Sequence, residues 1–204
     1  MNTLKIDQQI FTPGKIVCVG RNYLEHIHEL GNEEPEQMVI FCKPNSAISA
    51  ELISHAGEAL HFESEICFMV EDNCLAAVGI GLDLTKRELQ SKLKNKGLPW
   101  ERAKAFDGAA SFSDFVSLDE ISLASLSLEL EINGELRQKG GYELMMHKPE
   151  QVLQDIQSFM TLDNGDIIMT GTPKGVGQVN QGDQFTGRIL SNDQELLNRS
   201  WTAQ

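Results

Sequence analysis

The sequence is short of cysteine, of basic residues and of long apolar runs, and each shortage closes off a class of protein. Its four cysteines, Cys18, Cys42, Cys67 and Cys74, fall in no CxxC or comparable zinc spacing, and their apolar contexts read as buried, reduced thiols. Only 17 Lys and Arg stand against 30 Asp and Glu, a net charge of −13. Phosphate binding needs a basic surface, so neither nucleic acid nor an anionic membrane is expected as a partner. No apolar run approaches the ~20 residues of a membrane span. The opening MNTLKIDQQIF has neither the basic start nor the apolar stretch of a secretion signal, and a cytoplasmic location is expected. Repeats, heptads and low-complexity linkers are also missing.

What remains is a chain of 204 residues, 41% hydrophobic, enough for a real core. One domain over residues 1–204 is expected, with residues 1–14 as a short lead-in. Strands are expected at 15-KIVCVG-20, 38-MVIFCKP-44, 61-HFESEICFMV-70 and 75-LAAVGIGL-82, with a loop or short edge strands at 45–60. Strict alternation in 126-LSLELEI-132 meets Asn133-Gly134, a strong hairpin signal, with the return strand at 135–138. Another strand spans 166–170, and Phe185, Ile189 and Trp201 mark further short strands. Helices are expected at 22–30, capped by Asn22 and stopped by Gly31, and at 85–95, where Thr85 and Glu88 have capping-box spacing. A third follows Pro149, over 149–160. Strands dominate and most are joined as hairpins, which is no βαβ series. The expected fold is therefore α+β and β-rich, a mixed β-roll or barrel with a few peripheral helices.

The chemistry begins with Glu63 and Glu65. Two apart on a strand, they share a face with His61, Cys67 and Met69, about 7 Å from each other. A solvated strand edge fits such a pair, and so does a metal site, because a cation removes the repulsion that partial burial magnifies. Oxygen ligands favour Mg²⁺, Mn²⁺ or Ca²⁺ over zinc. Asp83 ends the next apolar run, where it reads either as a turn residue or as a third acid. Arg87 and Gln90, three apart, share a helix face. His26 and Glu29 are also three apart and can touch; a carboxylate there would fix the imidazole tautomer for base catalysis. Mixed polar groups on a helix surface fit that spacing equally well. The segment 166-DIIMTGTPKGVG-177 lacks the ending of a Walker loop, but its backbone and Thr170 and Thr172 suit a small carboxylate. Lys104 alone reads as a solvated lysine.

In order along the chain, 18-CVGRNYLEH-26, 41-FCKP-44, 63-ESE-65, 83-DLTKRELQ-90, 104-KAFD-107, 132-INGELRQ-138 and 165-GDIIMTGTPKGVG-177 resemble the fumarylacetoacetate hydrolase family. The closest look is to its short acylpyruvate hydrolase and oxaloacetate decarboxylase members. The resemblance implies that Glu63, Glu65 and Asp83 ligate Mg²⁺ or Mn²⁺, and that His26 and Glu29 form a catalytic dyad. It implies that Lys104 faces the reacting carbonyl and that Gln90 helps hold water or substrate. Arg21, Arg87, Gly171 and Thr172 match groups that bind a small 2-oxo acid. It further implies a β-roll assembled as a homodimer and metal-dependent C–C cleavage, by acylpyruvate hydrolysis or oxaloacetate decarboxylation. Keto–enol tautomerisation of oxaloacetate, or isomerisation of a seven-carbon dioic acid (2-hydroxyhepta-2,4-diene-1,7-dioate), fits the same positions. A binding module that keeps the fold has no need of His26 with Glu29. Tyr142, Lys86 and the short 45–60 loop depart from the family pattern.

Overall fold

Apolar strands of the N-terminal half curl into one sheet that a late strand completes. Its order in space is Val116–Ser117, Cys74–Asp83, Ser64–Glu71, Ile167–Met169, Lys15–Gly20 and Val39–Pro44, with Ala110–Phe112 paired to the end of Cys74–Asp83. Only the ladder of Ile167–Met169 on Lys15–Gly20 is parallel among these described strands. This computed structural model describes residues 1–7 and 9–204. Gln8, inside the expected lead-in, lies outside the described residues. A four-stranded antiparallel sheet follows the order Glu135–Gly141, Leu126–Ile132, Gln184–Ser191, Gln194–Thr202. A small three-stranded sheet joins Gly177–Gln178, Leu60–Phe62 and Thr85–Lys86. The result is the expected β-rich roll with helices at its periphery. No described helix is long and apolar enough to cross a membrane.

Alternation along the strands builds the core. Ile66, Phe68, Val78, Ile80 and Leu82 pack against Leu128, Leu130, Phe185, Ile189 and Trp201 of the four-stranded sheet. Cys67, Met69 and Ala77 take the opposite face, with Ile16, Cys18, Phe112 and Phe115. Val17, Val19 and Ile168 lie under the helix Pro149–Gln157 through its Val152 and Ile156. Gly81 sits opposite Glu65 in the ladder, and a Cβ there would meet Cys67 Sγ at 2.7 Å and the Phe112 ring at 2.8 Å. That face has no room for a side chain beside the acids.

Several local expectations are corrected. Residues 61–70 are two strands in different sheets, parted at Glu63. The helix expected from Thr85 begins two residues later: α2 spans Arg87–Asn95, while Thr85 pairs with His61 in the small sheet. Asn22 caps nothing. Helix α1 is Leu24–Glu29 with Tyr23 at its cap. The Asn22 side chain is buried instead, donating to the carbonyls of Thr170 at 2.8 Å and His147 at 2.9 Å and accepting from His147 N–H at 2.7 Å. Tertiary partners outbid the local cap. Asn22→Ala is accordingly expected to cost about 2–4 kcal/mol, as these bonds are worth roughly 1 kcal/mol each; denaturant unfolding measures it. The C-terminal strands are longer than expected, a hairpin of Gln184–Ser191 and Gln194–Thr202. Helix α3, Glu101–Lys104, was not foreseen. Cys74 is exposed and Cys42 half-buried, so only Cys18 and Cys67 are the buried thiols expected.

Candidate active site and metal centre

The break at Glu63 is what assembles the acids. As the chain passes from the small sheet to the large one, the Glu63 carbonyl accepts from Asp83 N–H at 2.8 Å. Glu63, Glu65 and Asp83 are exposed by only 6%, 2% and 0%. One oxygen of each lies within 4.8 Å of the others.

Cations surround them. Lys104 Nζ donates to Glu63 Oε2 at 2.8 Å, Asp83 Oδ2 at 2.7 Å and Thr85 Oγ1 at 2.6 Å. Arg87 pairs with Glu63 and donates to Gln90 Oε1 at 2.9 Å. Fully buried Lys43 places Nζ 2.7 Å from Asp83 Oδ1 and donates to the Ala109 carbonyl at 3.0 Å and to that of Lys104. Among the described residues Glu65 has no cation within ion-pair distance; its Oε2 accepts from Gly171 N–H at 2.6 Å.

The electrostatics diverge accordingly. Burial disfavours the Glu63 anion, but Lys104 and Arg87 outweigh it and hold that carboxyl well below the usual range. For Glu65, burial is reinforced by the nearby Asp83 and Glu63, and its carboxyl is pushed well above the usual range. Burial also works against the Lys104 charge, yet Asp83 and Glu63 prevail and raise its pKa.

These residues fit a hard divalent cation. The donor set is all oxygen and buried, and Asp83 Oδ1, although near Lys43, has no directional hydrogen bond. Glu65 carries the strain that a cation would relieve.

Helix α1 brings the other chemistry. His26 Nδ1 lies 3.2 Å from Glu29 Oε2, and Glu29 Oε1 accepts from Gly175 N–H at 3.0 Å. One cleft is lined by Arg21, His26, Glu63, Glu65, Asp83, Arg87, Gln90, Lys104 and Thr172. Of the other expected residues, Glu29 reaches it through His26, and Gly171 through Glu65. Tyr142 lies elsewhere, its hydroxyl toward Glu150 at 3.5 Å.

The chain matches the fumarylacetoacetate (FAA) hydrolase C-terminal family over residues 15–197. It belongs to the fumarylacetoacetate hydrolase family. The oxaloacetate tautomerase YcgM of Escherichia coli K12 is 38% identical over 190 residues, covering 84% of this chain and 86% of that protein. A mitochondrial oxaloacetate tautomerase of Bos taurus is 37% identical, covering 85% and 86%. A crystal structure of fumarylpyruvate hydrolase from Pseudomonas aeruginosa, in complex with Mn²⁺ and pyruvate, superposes with a TM-score of 0.88 at 27% identity, over 99% and 95% of the two chains. The chain is thus an enzyme-family member, and its relatives include tautomerases and hydrolases.

Sequence reasoning missed two members of this hydrolase-family site. Lys43, a lone lysine in the apolar strand Val39–Pro44, carried a signal, since full burial of a lysine demands acidic or carbonyl partners. Gln138, on the return strand of the hairpin, closes the family-like stretch 132–138, but nothing local gave its side chain a role. Its Oε1 accepts from Ser64 N–H at 3.0 Å, and its Nε2 donates to Thr172 Oγ1 at 2.8 Å and the Pro173 carbonyl at 2.7 Å. It fastens the glycine-rich loop to the acidic strand.

Proposed function

We propose that the protein catalyses proton transfer at C3 of a small 2-oxo acid, interconverting the keto and enol forms of oxaloacetate. The observation that carries this is the His26–Glu29 pair opening on the cleft that holds three buried acids and Lys104. Glu63, Glu65 and Asp83 would hold Mg²⁺ or Mn²⁺, which when bound supplies Lewis acidity toward the carboxylate and 2-oxo oxygens. Glu29 engages Nδ1 of His26, leaving Nε2 as the atom that takes the C3 proton or returns it. Lys104, freed from part of its ion pairing, faces the oxygen at C2 as negative charge develops there. Arg87 and Thr172 bind the 2-oxo acid end and Arg21 lines the cleft beyond it. Gly171, whose N–H is taken by Glu65, positions that carboxylate, and Gln90 fixes Arg87 and a water. The working form we propose is a cytoplasmic homodimer of one catalytic domain.

A second reading is C–C cleavage, favoured by the likeness to a fumarylpyruvate hydrolase bearing pyruvate. His26 would then activate a water against the distal carbonyl, with Lys104 beside the oxyanion. Loss of CO₂ from oxaloacetate needs no such water. One assay separates them: oxaloacetate and acetylpyruvate are supplied separately, with Mg²⁺ and with EDTA, while enol absorbance and pyruvate are followed. An EDTA-sensitive absorbance change without pyruvate is the expected result. Pyruvate release would move the assignment to cleavage, and no response to either substrate would overturn both readings.

A further inference from the structure

Helix α2 presents Arg87, Gln90 and Lys94 along one face, at spacings that bring them to the same cleft. Arg87 is committed to Glu63, but Lys94 is not committed to any acid. Its Nζ donates to Asn32 Oδ1 at 2.8 Å, and Arg21 Nη2 donates to that same oxygen at 3.4 Å. Arg21 has one further bond, to the Glu33 carbonyl at 3.3 Å. Among the described residues neither cation has a carboxylate within ion-pair distance. In a chain with 30 acids and 17 bases, most cations can find an acid; these two converge on one neutral amide.

The convergence is unfavourable as it stands. Burial, then Arg21 and Arg87, lower the pKa of Lys94. Arg21 also adopts φ +58°, a left-handed conformation that non-glycine residues take rarely and that often marks ligand sites. The Trp100 ring, 5.9 Å from Lys94 Nζ, stands beside it at the cleft wall. The crowding of positive charge has one remedy, an anion bridging the two side chains in the cleft.

We propose that Lys94 and Arg21 form a receptor for a second carboxylate at the cleft mouth, so that the enzyme selects 2-oxo dicarboxylates over 2-oxo monocarboxylates. This rests on the oxaloacetate reading above and adds the residues that would read its second carboxylate. The acids and Arg87 serve the 2-oxo end, and Lys94 with Arg21 serves the far end. Lys94 lies on the same helix face as Arg87, two turns along, and both side chains line the one cleft.

Titration calorimetry on the Mg²⁺-loaded protein tests it, with pyruvate as a monocarboxylate probe and 3,3-difluorooxaloacetate as a dicarboxylate with no C3 proton to lose. Lys94→Met should weaken the dicarboxylate about 10- to 100-fold, the range expected for losing a charge-assisted hydrogen bond, and shift pyruvate less than about threefold. Lys94→Arg should restore most of the loss. Equal weakening of both probes would make Lys94 merely structural and overturn the proposal, as would no effect on either. Failure of the unaltered protein to bind either probe would instead overturn the 2-oxo acid reading, and this one with it.

Discussion

Asp83→Asn is expected to abolish metal-dependent turnover and to lower thermal stability, whereas Glu65→Gln abolishes turnover without destabilising the metal-free protein. Asp83 is the shared partner of two buried ammonium groups, Lys43 and Lys104. Removing one member of a buried ion pair strands the other, at about 3–5 kcal/mol. For a chain of this length that is a melting temperature lower by roughly ten degrees. Glu65 is the opposite case. Burial and the two neighbouring acids raise its pKa, so without a cation its charge is unfavourable and an amide removes the penalty. The amide oxygen can still accept from Gly171. Thermal melts in EDTA compare the stabilities, and Mg²⁺ or Mn²⁺ titration the affinities. Tight metal binding by Asp83→Asn would refute its role as ligand, and equal destabilisation by both variants would refute the electrostatic contrast.

His26→Ala is expected to lower oxaloacetate tautomerisation by about 10²–10⁴-fold, the usual contribution of a positioned general base. Any decarboxylation of the same substrate should fall far less, because loss of CO₂ leaves the electron pair at C3 without a base. Glu29→Gln should be milder, since the side-chain oxygen can still accept from Nδ1. The informative quantity is the ratio of the two rates on one substrate, followed by absorbance and by pyruvate formed. A uniform fall in both would mean that His26 supports the site without moving a proton.

How far the sequence foretold this site depends on the range of each interaction. Glu63, Glu65 and Asp83 were legible as acids set in apolar runs on either side of a short hairpin, and the family resemblance suggested their role. The break at Glu63, not one continuous alternating strand, is what gathers them. The dyad was legible as an i, i+3 spacing, and the structure closes it to 3.2 Å. Lys104 was misleading by itself, since nothing near it in sequence shows that three oxygens enclose it. Asn22 and Thr85 had sound local signals for helix caps, yet partners distant in sequence claim both. Asn22 bonds to residues 125 and 148 positions away. Gln138 stood in a family-like stretch, yet its role of joining the strand after Glu63 to the glycine-rich loop was not legible, because its side chain has no local task.

The position of Ile167–Met169 also governs how the protein must fold. This strand is the seam between two halves of the large sheet, Ser64–Glu71 with Cys74–Asp83 on one side and Lys15–Gly20 with Val39–Pro44 on the other. Each half can zip early as a local antiparallel pair, but the halves have no ladder to each other. During synthesis both therefore wait with an open, apolar edge until more than 160 residues have been made. The glycine-rich turn that meets Glu65 arrives with the same strand. Assembly of the catalytic cleft is thus a late event, and the nascent chain has a long interval in which chaperones or aggregation compete for it.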